Sequence, residues 1–585
     1  MQYRLVVLIC AASLAGAQDY TLGPDSQPHD GVPKGAVAKY TLAPGRFYPG
    51  TPHHYAIYVP AQYDARKPAP FMIFLDGSGS LGNGQRAPVV LDNLIARGEV
   101  PPMIGIFVDP GVLPPITDGA QSRFERIFEY DSLSGRYARF LLGELIPEAA
   151  KRYNLSRDPN DRGLAGVSTG AVGAFAAAWN RPDQFHRVLS FIGTFVAMKG
   201  ADGLPARIRK TEAKPIRIFL QDGRNDHVVP GQPYGTFYAG SWPINNQVMY
   251  EALQYAGYDV KLVMGEEGHN MKQGGAIMPD ALRWLWRGYP QPVVAKEPPA
   301  MGQPGWDPRG KVSATVWADK PWERVGGAYG ALASLAADRE GNVFFADPAA
   351  NRIYRSDAAG KVTVFQENTA GAGALRVGAD GRLYALQAGR KRIVSYGPEG
   401  GPRVVAQNVE AAGFAITAQG AIYFSDALHK TLGVVGKPGT VPLEMAAPGG
   451  LALSGDQAML VAADAQSRFS WSFQIAADGT PQNGEPFYRL EMPESGWTSG
   501  AASVAEDSIG QVYFATAVGI QVCEANGRVE MILNAPEQGS VAAIAFGGKD
   551  LNWIYATEGG KVFRRPVKVK GTAPWEIVKL PKPPL

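Results

Sequence analysis

A motif repeated at near-constant spacing constrains a fold more tightly than composition does, and this chain carries one six times over. Each copy is a small turn residue, an alternating apolar stretch, then Asp, Thr or Ala. The clearest are Gly341-Asn342-Val343-Phe344-Phe345-Ala346-Asp347, Gly420-Ala421-Ile422-Tyr423-Phe424-Ser425-Asp426 and Gly510-Gln511-Val512-Tyr513-Phe514-Ala515-Thr516. Shorter copies begin at Gly381, Gln457 and Asn552, so successive starts lie 40, 39, 37, 53 and 42 residues apart. A unit of a few short strands cannot bury its apolar face alone, and a period near 40 is that of propeller blades. Six copies predict six blades over 323–585. Solenoid repeats of similar length are helical, and these units are not.

The first half has another texture. Up to about residue 290, short apolar runs (55–59, 71–75, 103–108, 163–165, 188–192, 216–220, 260–264) alternate with helix-like stretches (136–153, 171–180, 246–256, 279–287). Near-continuous apolar strands separated by helices imply a mostly parallel sheet covered on both faces. Residues 290–322, rich in Pro, Gly and Lys without periodicity, read as a linker between two domains. A chain of 585 residues exceeds what one core organises, which agrees with that division.

Residues 1–17 place Arg4 before the apolar run Leu5 to Ala12 and end on Ala15-Gly16-Ala17. That is the pattern of a secretory signal peptide, so a secreted or periplasmic protein over 18–585 is expected. No later run approaches the ~20 apolar residues of a membrane span. With Cys10 in the signal, Cys523 stands alone, which rules out an intramolecular disulfide, a Cys-His catalytic pair and a thiolate zinc site. A net charge of +3 without a basic run argues against a nucleic-acid surface.

The strongest chemical signal is Gly166-Val167-Ser168-Thr169-Gly170, entered from a strand and left by an alanine-rich helix. This is the context of a nucleophile elbow, whose flanking glycines permit a turn too tight for side chains, and it makes the first domain an α/β-hydrolase. A serine hydroxyl needs a base, and the base needs an acid. In this fold the order is Ser, acid, His, each at a strand's carboxyl end. Of the seven histidines, His29, His53 and His54 precede Ser168, His186 precedes any acid, and His429 lies in the propeller. His227 adjoins the acid candidates, which leaves His269 as the base. The acid is Asp222 or Asp226: Asp222 sits at the strand end, where Asp before Gly shapes turns, and Asp226 has the loop reach, so it is preferred. The oxyanion requires two backbone N–H donors: one from Thr169, and one from Gly77 or Ser78 in the Asp76-Gly77-Ser78 loop, with Gly77 preferred. Trp242 and Tyr234 are candidates for stacking a sugar or aryl ring, or for packing.

These segments carry a resemblance. Tyr55-Ala56-Ile57-Tyr58-Val59-Pro60, Phe74-Leu75-Asp76-Gly77, Arg126 to Asp131, Gly166–Gly170 and Gly268-His269-Asn270 occur in the order seen in an esterase family. That family includes enterochelin-esterase-like enzymes, feruloyl esterases and acetyl-xylan esterases, the carbohydrate esterase family one type. The likeness covers about 23–289 and implies hydrolysis of a carboxylic ester, often an acyl group on a carbohydrate, by a serine esterase without a cofactor. The partner it implies is an ester substrate, including polysaccharide-linked esters. Ala171 departs from the Gly common in relatives, and Arg126 and Glu129 are candidates for substrate contact or for an internal ion pair, with the ion pair preferred.

The second half is similar to gluconolactonase and senescence-marker-protein propellers through Phe546 to Asp550, Ile554 to Thr557 and Gly519 to Val522. Those enzymes hold a divalent metal with one Glu, two Asn and one Asp. Here the corresponding positions read Ala333, Ala412, Gly449 and Ala502, none of which supplies the oxygen donor a hard cation requires. A propeller without metal or catalysis is therefore expected. A metal-dependent sugar lactonase and a non-catalytic binding protein remain the alternatives.

Overall fold

The structure is a computed structural model that describes residues 20–227, 237–296, 311–397 and 401–581. The expected signal peptide and Tyr234 lie outside the described residues, as does part of the expected linker. Eight strands form the first sheet: β1 (Ala36–Leu42), β2 (His53–Val59), β3 (Phe71–Leu75), β4 (Ile104–Val108), β5 (Arg162–Val167), β6 (Arg187–Phe191), β7 (Arg217–Gly223) and β8 (Asp259–Gly265). Their order is β1-β2-β4-β3-β5-β6-β7-β8, antiparallel at the first two pairings and parallel from β4 onward.

Alternation along β3 shows why both faces are covered. Phe71, Ile73 and Leu75 face one core, with Val172 and Phe175 of the helix Thr169–Asn180 and Met249 and Leu253 of the helix Trp242–Tyr255. Met72 and Phe74 face the other, against Leu91 and Leu94 of Ala87–Ala96 and Leu282 and Leu285 of Lys272–Trp286. The seven expected strands are all present; β1 is additional. Its pattern is mostly exposed or half-exposed, because it is an edge strand buried only at Leu42, and its apolar signal is correspondingly weak.

The helix Trp242–Tyr255 begins four residues before the expected stretch, Ala87–Ala96 was not expected, and two further helices differ in kind. The stretch 136–153 is Arg136–Phe140, a π turn Leu141–Leu145, then Ile146–Ala150. The π turn precedes Pro147, which has no N–H to continue an α ladder. The last helix begins at Lys272 and carries Pro279 inside it, whereas the sequence placed Pro279 at the first turn, where proline is favoured. Its true first turn holds Gly274 and Gly275, poor helix formers; at Gly275 the carbonyl of Gly84 occupies the space of a Cβ.

The second domain is a six-bladed propeller. Five four-stranded sheets follow in sequence, from Ser334–Ala337 to Val529–Leu533. The sixth joins Ala543–Gly547, Trp553–Glu558 and Lys561–Pro566 to Glu323–Val325, so the domain's first strand closes its last blade. The recurring motif is the second strand of each blade. The long interval before its fifth copy contains the long strands Phe469–Ile475 and Pro481–Arg489 of the fourth blade. Inner-strand register aligns Ala336, Arg376, Ala415, Ala452, Ala505 and Ala545 at one level. The Arg376 guanidinium reaches from the second blade to the Leu451 carbonyl of the fourth, 2.7 Å away. Among the described residues no helix is long and apolar enough to cross a membrane.

The domains meet at the outer strand of the fifth blade, at the segment that follows the fourth, and at the sixth. Thr211, just past the helix Leu204–Lys210, bridges to Ile532, and the Glu212 N–H donates to the Ile532 carbonyl at 2.9 Å. Lys210 pairs with Glu491 at 2.6 Å, Arg207 with Glu494 at 3.0 Å, and Arg565 with Glu212 at 2.7 Å.

Candidate active site

The apolar strand β5 ends at Val167, and the chain reverses through Ser168 at φ 58°, ψ −123°, directly into the helix Thr169–Asn180. A Cβ at Gly166 would lie on the Gly170 carbonyl, and one at Gly170 would come within 2.7 Å of Asp76 Oδ2. The turn therefore requires both glycines. It is tied at both ends: the Ser168 N–H donates to the Phe191 carbonyl at 2.9 Å, and the Thr194 N–H donates to the Ser168 carbonyl at 3.2 Å.

Ser168 Oγ lies 2.8 Å from His269 Nε2, and His269 Nδ1 lies 2.9 Å from each oxygen of Asp226. Asp226 is fully buried. The parallel pairing of β7 and β8 sets this geometry, since it brings Asp226 and His269, in the loops after the two strands, to one edge of the sheet. Of the two acid candidates, Asp226 faces the imidazole. Asp222 is buried behind it, accepting from the Gly223 N–H at 2.8 Å and from Asn246 Nδ2 at 2.9 Å.

Gly77 and Thr169 are each the first residue of a helix, so neither N–H has an intrahelical acceptor. Among the described residues neither N–H meets an acceptor. The Ser78 N–H, the other candidate donor, is bound to Asp109 Oδ1 at 2.9 Å. That leaves Gly77 and Thr169 as the pair available to an oxyanion.

Several neighbours were not foreseen. Thr194 Oγ1 is 3.0 Å from Ser168 Oγ and accepts from Trp242 Nε1 at 3.2 Å. The available signal was position alone: Thr194 follows β6, the strand beside the nucleophile's. Trp242 is 3% exposed, so it packs under the site and offers no stacking face. His227 stacks on Phe237 and lies 4.3 Å, centroid to centroid, from the His269 ring. Arg126 and Glu129 do not pair with each other. Arg126 grips both oxygens of Asp76 at 2.8 Å and reaches the Val167 carbonyl at 3.3 Å; Glu129 meets His53 and the Gly111 N–H, both at 2.9 Å. The two lie one turn apart on the short helix Arg126–Tyr130, near enough to pair, and each is instead held by partners from other elements. Burial holds His269 below the ordinary imidazole value, and the positive charge of Arg126 pushes the same way.

In the propeller, the N–H groups of Ala333, Gly373, Ala412, Ala502 and Ala542 donate to Ala346, Leu386, Ser425, Ala515 and Thr557, equivalent places in five blades. Gly449 stands beside the Ala463 carbonyl at the sixth. The positions read as former ligand sites thus belong to a ring of Ala and Gly without a side-chain oxygen. The described residues hold two groups of three His and carboxylate side chains close enough to share an ion: Asp226, His227 and His269, and Glu410, Asp426 and His429. Neither includes a residue of this ring.

Sheet order, elbow and propeller define an α/β-hydrolase-type domain followed by a six-bladed β-propeller. Residues 48–286 match the family described as Putative esterase, and residues 431–559 match the SMP-30/Gluconolactonase/LRE-like region. The Iron(III) enterobactin esterase of Dickeya dadantii (strain 3937) is 27% identical over 238 residues, 37% of this chain and 48% of that protein. The chain therefore spans about half the length of that relative. Among solved structures, the enterobactin esterase of Shigella flexneri is 18% identical over 44% of this chain and 61% of its own, with a TM-score of 0.34. A gluconolactonase from Xanthomonas campestris is 17% identical over 44% and 92%, with a TM-score of 0.38.

Proposed function

We propose that this chain is an exported serine carboxylic-ester hydrolase that acts on acyl or feruloyl esters of carbohydrates, and that its propeller is non-catalytic. The observation that carries the reading is the unbroken line Ser168–His269–Asp226, at 2.8 Å and 2.9 Å, at the carboxyl edge of the sheet. His269 takes the hydroxyl proton as Ser168 Oγ attacks the ester carbonyl, and Asp226 holds the imidazole in the required tautomer. The tetrahedral oxyanion is held by the Gly77 and Thr169 N–H groups. On collapse His269 returns the proton to the departing alkoxide, and a water repeats the cycle to release the acid. The family match over 48–286 and the enterobactin esterase relative support ester hydrolysis. The signal-like start at 1–17 supports export, and the ring of Ala and Gly supports a propeller without metal chemistry.

The test is a screen of acetylated and feruloylated oligosaccharides, aryl esters and catecholate esters on the full chain, with Ser168→Ala as control and fluorophosphonate labelling at Ser168. Labelling without turnover of carbohydrate esters would keep the nucleophile and overturn the substrate class. Absence of both would leave a binding protein. Amino-terminal sequencing of protein exported by the host cell should begin at Gln18.

A further inference from the structure

We infer that Asp222 is a positioning residue of this site: a protonated carboxyl that donates its O–H to Asp226 and pins that carboxylate against His269. The inference rests on the proposed hydrolase reading. Asp222, on β7, is fully buried, and so is Asn246, which donates to it. Asp222 and Asp226 flank one tight turn, in which the Asp226 N–H donates to the Gly223 carbonyl at 3.0 Å, and both carboxyls are buried there within reach of a shared hydrogen bond. Between two carboxyl oxygens such a bond requires a proton, because two carboxylates out of water cannot both stay ionised. The environment decides which residue keeps it. Both oxygens of Asp226 face His269 Nδ1, where positive charge develops during the reaction. Among the described residues Asp222 forms no ion pair with a Lys or Arg; its other partners are the Gly223 N–H and the Asn246 amide. Burial, followed by the hydrogen bond and charge of Asp226, pushes the Asp222 carboxyl far up.

The donated bond has two effects. It fixes the Asp226 carboxylate, and it draws charge from it, so that Asp226 orients the imidazole without taking its proton. The titratable groups around the pair are His269, His227, which lies 3.9 Å from Asp226 Oδ1, and Arg126, whose charge acts on His269.

The experiment compares Asp222→Asn with Asp222→Ala in the full chain, reading kcat, KM and the pH profile on an aryl ester. Asn is neutral, as a protonated acid is, and keeps an N–H where the O–H stood. It should hold kcat within about fivefold, whereas Ala should lose on the order of 30-fold or more with KM little changed. In the Ala variant Asp226 carries fuller charge, so the acid limb of kcat/KM should move to higher pH. Were Asp222 ionised, both substitutions would remove a negative charge beside His269 and move the limb to lower pH. That result, or Asn falling as far as Ala, overturns the inference. A readout independent of catalysis is an infrared difference spectrum at neutral pH: the C=O band of one protonated carboxyl should be lost on passing from the native protein, or from Ser168→Ala, to the same protein carrying Asp222→Asn. If no ester is turned over, the hydrolase reading fails and this band alone decides the state of Asp222.

Discussion

Ser168 occupies a backbone conformation that a side chain disfavours, at φ 58° and ψ −123°, and strain of that kind costs about 1–3 kcal/mol. Replacing it separates the hydroxyl's chemistry from the backbone's cost. Ser168→Ala should lower ester turnover by on the order of 10⁴-fold or more while leaving the unfolding midpoint nearly unchanged. Ser168→Gly should be as inactive yet about 1 kcal/mol more stable than the Ala variant, because relief of the turn exceeds glycine's extra unfolded-state freedom. Denaturant titration of the two reads the difference, and equal stabilities would mean that the turn stores no strain. The base at this site titrates low. A protonated His269 cannot accept the serine proton, so activity falls as pH drops through its folded-state value. Because burial and Arg126 hold that value down, the acid limb of kcat/KM should have its midpoint below about 6.5, the ordinary imidazole value. A midpoint above 7 in a pH–rate profile would contradict the environment described for His269.

At the scale of elements, the elbow depends on helix and strand approaching without side chains between them. The helix Thr169–Asn180 is buried at all but its last residue, and Gly173 brings it against Tyr130. Gly166→Ala would place a methyl on the Gly170 carbonyl, and the only relief is to open the turn. A loss of about 3 kcal/mol or more, together with activity, is expected from urea unfolding and ester assay. An active variant of native stability would show that β5 and its helix are farther apart than described.

Across the whole molecule the two domains are joined by specific contacts at the fifth and sixth blades. Arg565, 2% exposed, meets Glu212 from the hydrolase side, whose N–H and carboxylate also engage Ile532 and Asn534. Glu212→Ala would strand a buried guanidinium, at a cost of about 3 kcal/mol. Calorimetry of the full chain should show the loss, with propeller unfolding moving to lower temperature; an unchanged trace would mean that the domains are not coupled there. At the propeller axis, Ala333, Ala412, Gly449 and Ala502 offer a hard cation nothing to replace its hydration shell. Isothermal titration of the full chain should show no micromolar calcium or zinc site at the axis, and EDTA should leave any lactone hydrolysis unchanged. Tight binding abolished by substitutions around this ring would show that the blades are aligned differently.

Period, order and local turn chemistry are written along the chain, and they were legible. The repeat near 40 foretold six blades, the alternation of apolar runs and helices foretold a parallel sheet, and the order Ser168, Asp226, His269 foretold which side chains stand together. What the chain cannot express is contact between segments distant in sequence. The edge strand β1 was invisible because its register with β2, not its own hydrophobicity, holds it in the sheet. Pro279 falls inside a helix because Gly275 fits against Gly84 on a loop nearly two hundred residues earlier. The closing strand Glu323–Val325 belongs to a blade whose other members lie at the far end of the chain. Thr194 reaches Ser168, and Arg126 turns to Asp76 instead of Glu129, because packing of neighbouring loops fixes where those side chains point. The choice between Asp222 and Asp226 is of the same kind: both are acids at one strand end, four residues apart. Only folding places one against the imidazole and buries the other behind it, where dehydration and a neighbouring charge govern its proton.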